Sequence, residues 1–175
     1  DKTEAVMFSK RESSESLSLC FDGINISNVE SHKHLGVTLM ANGKWSCHIE
    51  NIVKSVSKMI SSMRKLKFLL SRDTLSLLYT MFIRPHFEYA CEVWDGCSIE
   101  QSDRLEKLQL EAARIVTGLP KSASLQSLYY ETGWETLAER RRKRKLSMFY
   151  EIYNDMVPTF FKDLLPATVG SRSSY

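Results

Sequence analysis

The 175-residue chain has few cysteines, prolines and glycines, and no long apolar run. Cys20, Cys47, Cys91 and Cys97 are scattered and form no C-x-x-C pair, which argues against a disulfide-built secreted scaffold and against the common zinc modules. A metal reading of His86, Cys91 and Cys97 has wide spacings; reduced thiols filling a core are the plainer alternative. No apolar stretch approaches the roughly 18–20 residues needed to span a bilayer, and no charged-then-apolar leader opens the chain. The expectation is an intracellular protein, nuclear or cytoplasmic, with no membrane partner. Catalytic signatures are missing as well: there is no G-x-S-x-G, P-loop, G-x-G-x-x-G or H-E-x-x-H. The aspartates, from Asp22 and Asp73 to Asp95 and Asp103, stand apart in sequence, whereas two-metal chemistry needs carboxylates that converge. On its residues the chain reads as a binding module, with no cofactor of its own and no complete active site.

What is present is an ordinary globular composition, 43% hydrophobic and 26% charged, with a formal charge of +3. One domain, or two small subdomains on a shared core, fits this length. The chain starts at Asp1 inside a strand-like run and reads as a piece of something longer. Residues 4–39 read as a small β element: Ala5-Val6-Met7-Phe8 is a short apolar run, and short stretches after it alternate with a period near two. Leu17–Phe21 and Ile24–Ile26 flank Asp22-Gly23, a pair suited to a two-residue hairpin because both positions need positive φ. A further run, His34–Leu39, leads to a turn near Asn42-Gly43. The spacing predicts a small antiparallel sheet of three or four strands that needs helices over one face.

From Trp45 the period becomes helical. Ile49, Ile52, Val53, Val56, Ile60, Met63, Leu66 and Leu70 mark one face of a long helix. Ser71 or Asp73 can cap the next helix, which kinks or restarts at Pro85 and continues to Trp94. Ser98-Ile99-Glu100-Gln101 fits a capping box opening a helix that Gly118-Leu119-Pro120 stops. A short helix over 124–130 and a long one from about Trp134 to Met156 complete a bundle of four to six helices. The fold class is therefore α+β, mainly α. Trp45, Tyr89, Trp94 and Trp134 read as core anchors in preference to base-stacking platforms.

The charge is unevenly placed. Residues 50–72 carry Lys54, Lys58, Arg64, Lys65, Lys67 and Arg72 against Glu50 alone. Lys54, Lys58 and Lys65 share the flank opposite the apolar face, an arrangement that suits either a backbone-phosphate track or a plain solvated face. Six consecutive cations, Arg140–Lys145, circle the last helix. Arg141 and Lys145 fall near its apolar flank, where one of them would pair with a carboxylate such as Glu111 or Glu139. Arg140, Arg142 and Lys143 are further candidates for phosphate, for a nuclear-import signal, or for simple solvation.

Several segments, taken in order, resemble the C-terminal part of reverse transcriptases from non-LTR (LINE-type) retrotransposons. Lys2-Thr3-Glu4 with Val6-Met7-Phe8 looks like the end of polymerase motif D. Lys33-His34-Leu35-Gly36-Val37-Thr38-Leu39 is similar to the K-Y/H-L-G-V segment of motif E, the primer grip. Trp45 with His48-Ile49, Ile83–Ala90 with Val93-Trp94, Leu105–Gln109 with Ala113–Gly118, and Leu137, Arg140-Arg141 and Phe149–Tyr153 continue the match. The resemblance implies that residues 1–44 are the end of a palm, 45–118 a thumb-like bundle and 119–175 a helical extension. It implies an RNA-directed DNA polymerase whose fingers, paired catalytic aspartates and Mg²⁺ site lie upstream, in chain segments absent here. Lys2 then serves no catalytic role in this chain. The implied partners are an RNA–DNA or RNA template–primer duplex and the upstream palm and fingers. His34, Leu35 and Gly36 would form the grip, and Gly36 would let the backbone approach a primer phosphate. The alternative is a degenerate or repurposed helical protein-interaction module that binds no nucleic acid.

Overall fold

The computed structural model describes residues 3–9 and 18–165; Lys2, Leu17 and the polar tail after Thr168 lie outside them. The chain is α+β and mainly helical. Five short strands come first. β1 (Glu4–Ala5), β2 (Leu19–Phe21) and β3 (Ile24–Asn28) form one sheet in the order β1-β3-β2, and β4 (Ser31–His34) and β5 (Val37–Met40) form a separate hairpin. Asp22 at φ 50° and Gly23 at φ 74° make the expected two-residue turn between β2 and β3. Both hairpins are antiparallel, while β1 joins β3 in parallel, Glu4 opposite Ser27.

The run His34–Leu39, read from sequence as one strand, is broken. Leu35 (φ 44°) and Gly36 (φ 84°) are the turn of the β4–β5 hairpin, so the strand partner of Val37 is His34. The cause is the same primed-turn geometry as at Asp22-Gly23.

Helix α1 (Ser46–Leu66) buries His48, Ile49, Ile52, Val56, Ile60 and Met63. The strand β5 and the long helix α5 (Ile99–Thr117) both pack on α1. Between them run α2 (Arg72–Leu78), capped by the Ser71 side chain, then a π-helical turn at Tyr79–Ile83, α3 (Arg84–Glu88) and α4 (Cys91–Trp94). The π turn, closed by Arg84 N–H to the Tyr79 carbonyl, lies immediately before Pro85, which occupies the first turn of α3 and lacks an N–H to give. Helix does not continue to Trp94 as the spacing suggested. Tyr89 is extended (ψ 121°) and Ala90 is left-handed (φ 50°), which separates α3 from α4.

α6 (Leu125–Thr132) and α7 (Leu137–Tyr153) finish the bundle, followed by a 3-10 turn at Thr159–Leu164. α7 starts at Leu137, not near Trp134, because the Thr136 side chain accepts the Glu139 N–H and sets the cap. The main core joins the apolar faces of α1 and α5 to Leu75, Tyr79, Ile83, Phe87, Cys91, Trp94 and Leu137. Trp94 is fully buried and Trp134 stacks on Tyr79 at 3.7 Å, both as anchors. Tyr89 is not one: it is 56% exposed. Cys91 is buried and Cys97 half-buried, but Cys20 and Cys47 are exposed and fill no core. No described helix is long and apolar enough to cross a membrane.

Candidate nucleic-acid interface

An open cleft of ≈ 640 Å³ lies where the β4–β5 hairpin meets α1 and α3. Its cationic lining is Lys33 from β4 and Lys54 from α1, with His86 from α3 among the other lining residues; Gly36 and Tyr89 stand at the hairpin tip. The register explains how the hairpin is held. Lys33 is opposite Thr38. The Thr38 N–H donates to His48 Nδ1 at 3.3 Å, and the Asn51 amide donates to Thr38 Oγ1 at 3.3 Å. Two residues one helical turn apart on α1 thus fasten β5. Burial, and then the nearby Lys33 charge, hold the His48 imidazole below its ordinary pKa, so the ring is a neutral fastener under the cleft.

From Lys54 the α1 surface continues as a cationic row. Lys54, Lys58 and Lys65 are all exposed on the side facing away from the core, and none has an ion pair among the described residues. Eleven residues at 1.5 Å each make the row about 16 Å long, about five base-pair steps at 3.4 Å per step. The other cations of this stretch are engaged. Arg64 pairs with Glu111, Arg72 with Glu131 at 3.0 Å, and Lys67 lies over the Phe68 ring at 4.7 Å.

The run on α7 is different, because every one of its six cations meets a carboxylate. Arg140 pairs with Glu88, which also takes Arg84 at 3.5 Å. Arg141, 3% exposed at its side chain, donates to Asp95 at 2.6 Å and to Ser102 at 2.6 Å. Its partner is therefore Asp95 and not Glu111 or Glu139, which are held by Arg64 and Arg142. Lys145 shares Asp95, Arg144 takes Glu92 at 3.1 Å, Lys143 takes Glu135, and Arg142 takes Glu139 at 3.6 Å. Burial alone would raise the Asp95 carboxyl, but hydrogen bonds from Lys145 and Arg141, with their charges, bring it below the ordinary carboxylate range.

The sequence candidates therefore fall into three groups. The hairpin tip His34, Leu35 and Gly36 stands beside the cleft, and Lys54, Lys58 and Lys65 run away from it. Arg140, Arg142 and Lys143 belong to a surface whose charge is balanced by its own acids. Lys33, Asn51, Ser55, His86 and Tyr89 also line the cleft; the sequence put Lys33 in the motif E-like segment and read Tyr89 as a core anchor in preference to a base-stacking platform, and none of the five was among its binding candidates. The motif E-like segment carried a signal for Lys33; Asn51, Ser55 and His86 converge with it only through tertiary packing. Glu88, Glu92 and Asp95, the acids that face α7, are each held by Arg or Lys. No group of three or more His, Cys, Asp or Glu among the described residues is arranged for a metal. What the cleft and row can do is attract an extended polyanion along a single line.

No protein-family model, no curated protein and no solved structure matches this chain.

Proposed function

We propose that this chain is the palm-rim and thumb portion of a non-LTR retrotransposon reverse transcriptase, gripping the RNA–DNA template–primer duplex and unable to polymerise by itself. The supporting observation is the division of cations: those of α7 are balanced within the fold, whereas the α1 row is unpaired and begins at the cleft beside the motif E-like hairpin. Free lysines in a line displace the cations condensed on the phosphates they neutralise, and they hold a duplex by its backbone, without reading bases. In this reading residues 1–44 are the end of the palm, 45–118 the thumb and 119–175 an extension bracing it. Mg²⁺ chemistry belongs to the upstream palm.

A second reading, a helical protein-interaction module, draws on one feature. Leu146, Phe149, Tyr150 and Tyr153 recur at i, i+3, i+4 and i+7 on α7, and each is at least 50% exposed. Fluorescence anisotropy with a labelled RNA–DNA hybrid at low salt separates the two. Lys54→Glu with Lys58→Glu is expected to weaken binding about tenfold or more, and Arg142→Glu with Lys143→Glu by less than about threefold. No affinity for the hybrid at low salt, with circular dichroism confirming a folded chain, favours the interaction module.

A further inference from the structure

The cleft lining includes Tyr89, and the residue that follows it has an unusual backbone. Tyr89 sits in the break between α3 and α4, followed by Ala90 at φ 50°, a left-handed conformation that L-residues rarely adopt. Such local strain persists only where surrounding contacts over-determine it. The contacts are visible. The Trp94 indole N–H donates to the Tyr89 carbonyl at 2.9 Å and ties the break to the core. The Tyr89 hydroxyl donates to the Leu35 carbonyl at 2.6 Å, bridging 54 residues of sequence to the hairpin tip. The ring lies flush against Gly36, where a Cβ would come within 3.1 Å of the Tyr89 ring edge. The ring is otherwise solvent-facing, so its burial does not account for this arrangement. Its geometry instead connects the core, through Trp94, to the two residues of the hairpin turn.

We propose that Tyr89 is a positioning residue that latches the β4–β5 tip and so fixes the cleft into which a nucleic-acid backbone is received. The latch works from one side, and the His48 and Asn51 bonds to Thr38 work from the other. Between these two fastenings the hairpin cannot swing, and Lys33 is held at a set distance from Lys54. This inference rests on the proposed grip for its ligand but not for its mechanics, and the two can be tested apart.

Three chains suffice: wild type, Tyr89→Phe, which keeps the ring and loses the hydroxyl, and Tyr89→Leu, which loses both. Amide hydrogen exchange at Leu35–Val37 reads the latch directly, and hybrid titrations at several salt concentrations read its consequence. In Tyr89→Phe, exchange at the turn is expected to rise about fivefold, the ratio corresponding to one net hydrogen bond, with the melting temperature lowered by no more than about 2–4 °C. Hybrid affinity should fall by a similar factor. The counterion slope should decrease by about one as Lys33 loses its register with the row. Tyr89→Leu should exceed Tyr89→Phe in both readouts. A merely structural residue would move the melting temperature and leave the slope alone. The proposal is overturned if Tyr89→Phe exchanges like wild type, or if exchange rises while affinity and slope stay put. If wild type itself ignores the hybrid, the proposed function fails and the exchange result alone decides the latch.

Discussion

His48 illustrates how one side chain can be both a fastener and a liability. It is 5% exposed, accepts the Thr38 N–H at Nδ1, and therefore carries its proton on Nε2, which is buried without a partner. A second proton would place a charge beside Trp94 and set a donor against the Thr38 donor. Burial, then Lys33, lowers its folded-state pKa below the ordinary 6.5. The unfolded chain thus takes up the proton first as pH falls. This contribution to stability is whole above about pH 6.5 and declines below it. Urea unfolding at pH 7 and pH 5 should show stability dropping with acid, and His48→Gln should reduce that drop; an unchanged difference would contradict the assignment. The other histidines are common to both chains and cancel. Little of this was legible beforehand, because the burial of His48 is imposed by a strand ten residues upstream and by a tryptophan from α4.

Elements whose ends are set locally were legible. Ser98 and Gln101 form both halves of the capping box, at 3.2 and 3.0 Å, and Gly118 closes the same helix in the left-handed conformation. The Asp22-Gly23 turn was legible for the same reason. The Tyr89–Ala90 break was not, since the partners that hold it are Trp94 and Leu35, and the second is remote in sequence. The attachment of α7 was half legible. The sequence placed Arg141 against the core, but the choice of Asp95 depends on how α4 and α7 lie together. That choice has an energetic signature. Arg141→Met removes a buried guanidinium and its bonds to the half-buried Asp95 and to Ser102, leaving Lys145 as the remaining ionic partner of Asp95, and should cost about 1–3 kcal/mol in urea unfolding. Arg142→Ala, removing an exposed pair at 3.6 Å, should fall within about 0.5 kcal/mol. Equal effects from the two would mean that α7 is not docked through its buried arginine.

Across the whole molecule, the distribution of pairing carries more meaning than net charge. A formal +3 says little, and the six-residue basic run is the more conspicuous feature in sequence. The fold reverses that ranking. Acids contributed by α3, by α4 and its C-cap Asp95, and by Glu135 and Glu139 around the start of α7 occupy the basic run, while the scattered lysines of α1 remain unmatched and begin at the cleft. Sequence alone could not rank them, because Glu88, Glu92 and Asp95 reach α7 only after the bundle closes. The central claim is that Lys33, Lys54, Lys58 and Lys65 together follow one nucleic-acid backbone. Its most direct test is the dependence of hybrid affinity on salt. Four neutralised phosphates at about 0.9 ions each predict a log–log slope of about −3.6, falling to about half that or less in Lys54→Ala with Lys58→Ala. A slope near zero, or one that the double substitution leaves untouched, would contradict it.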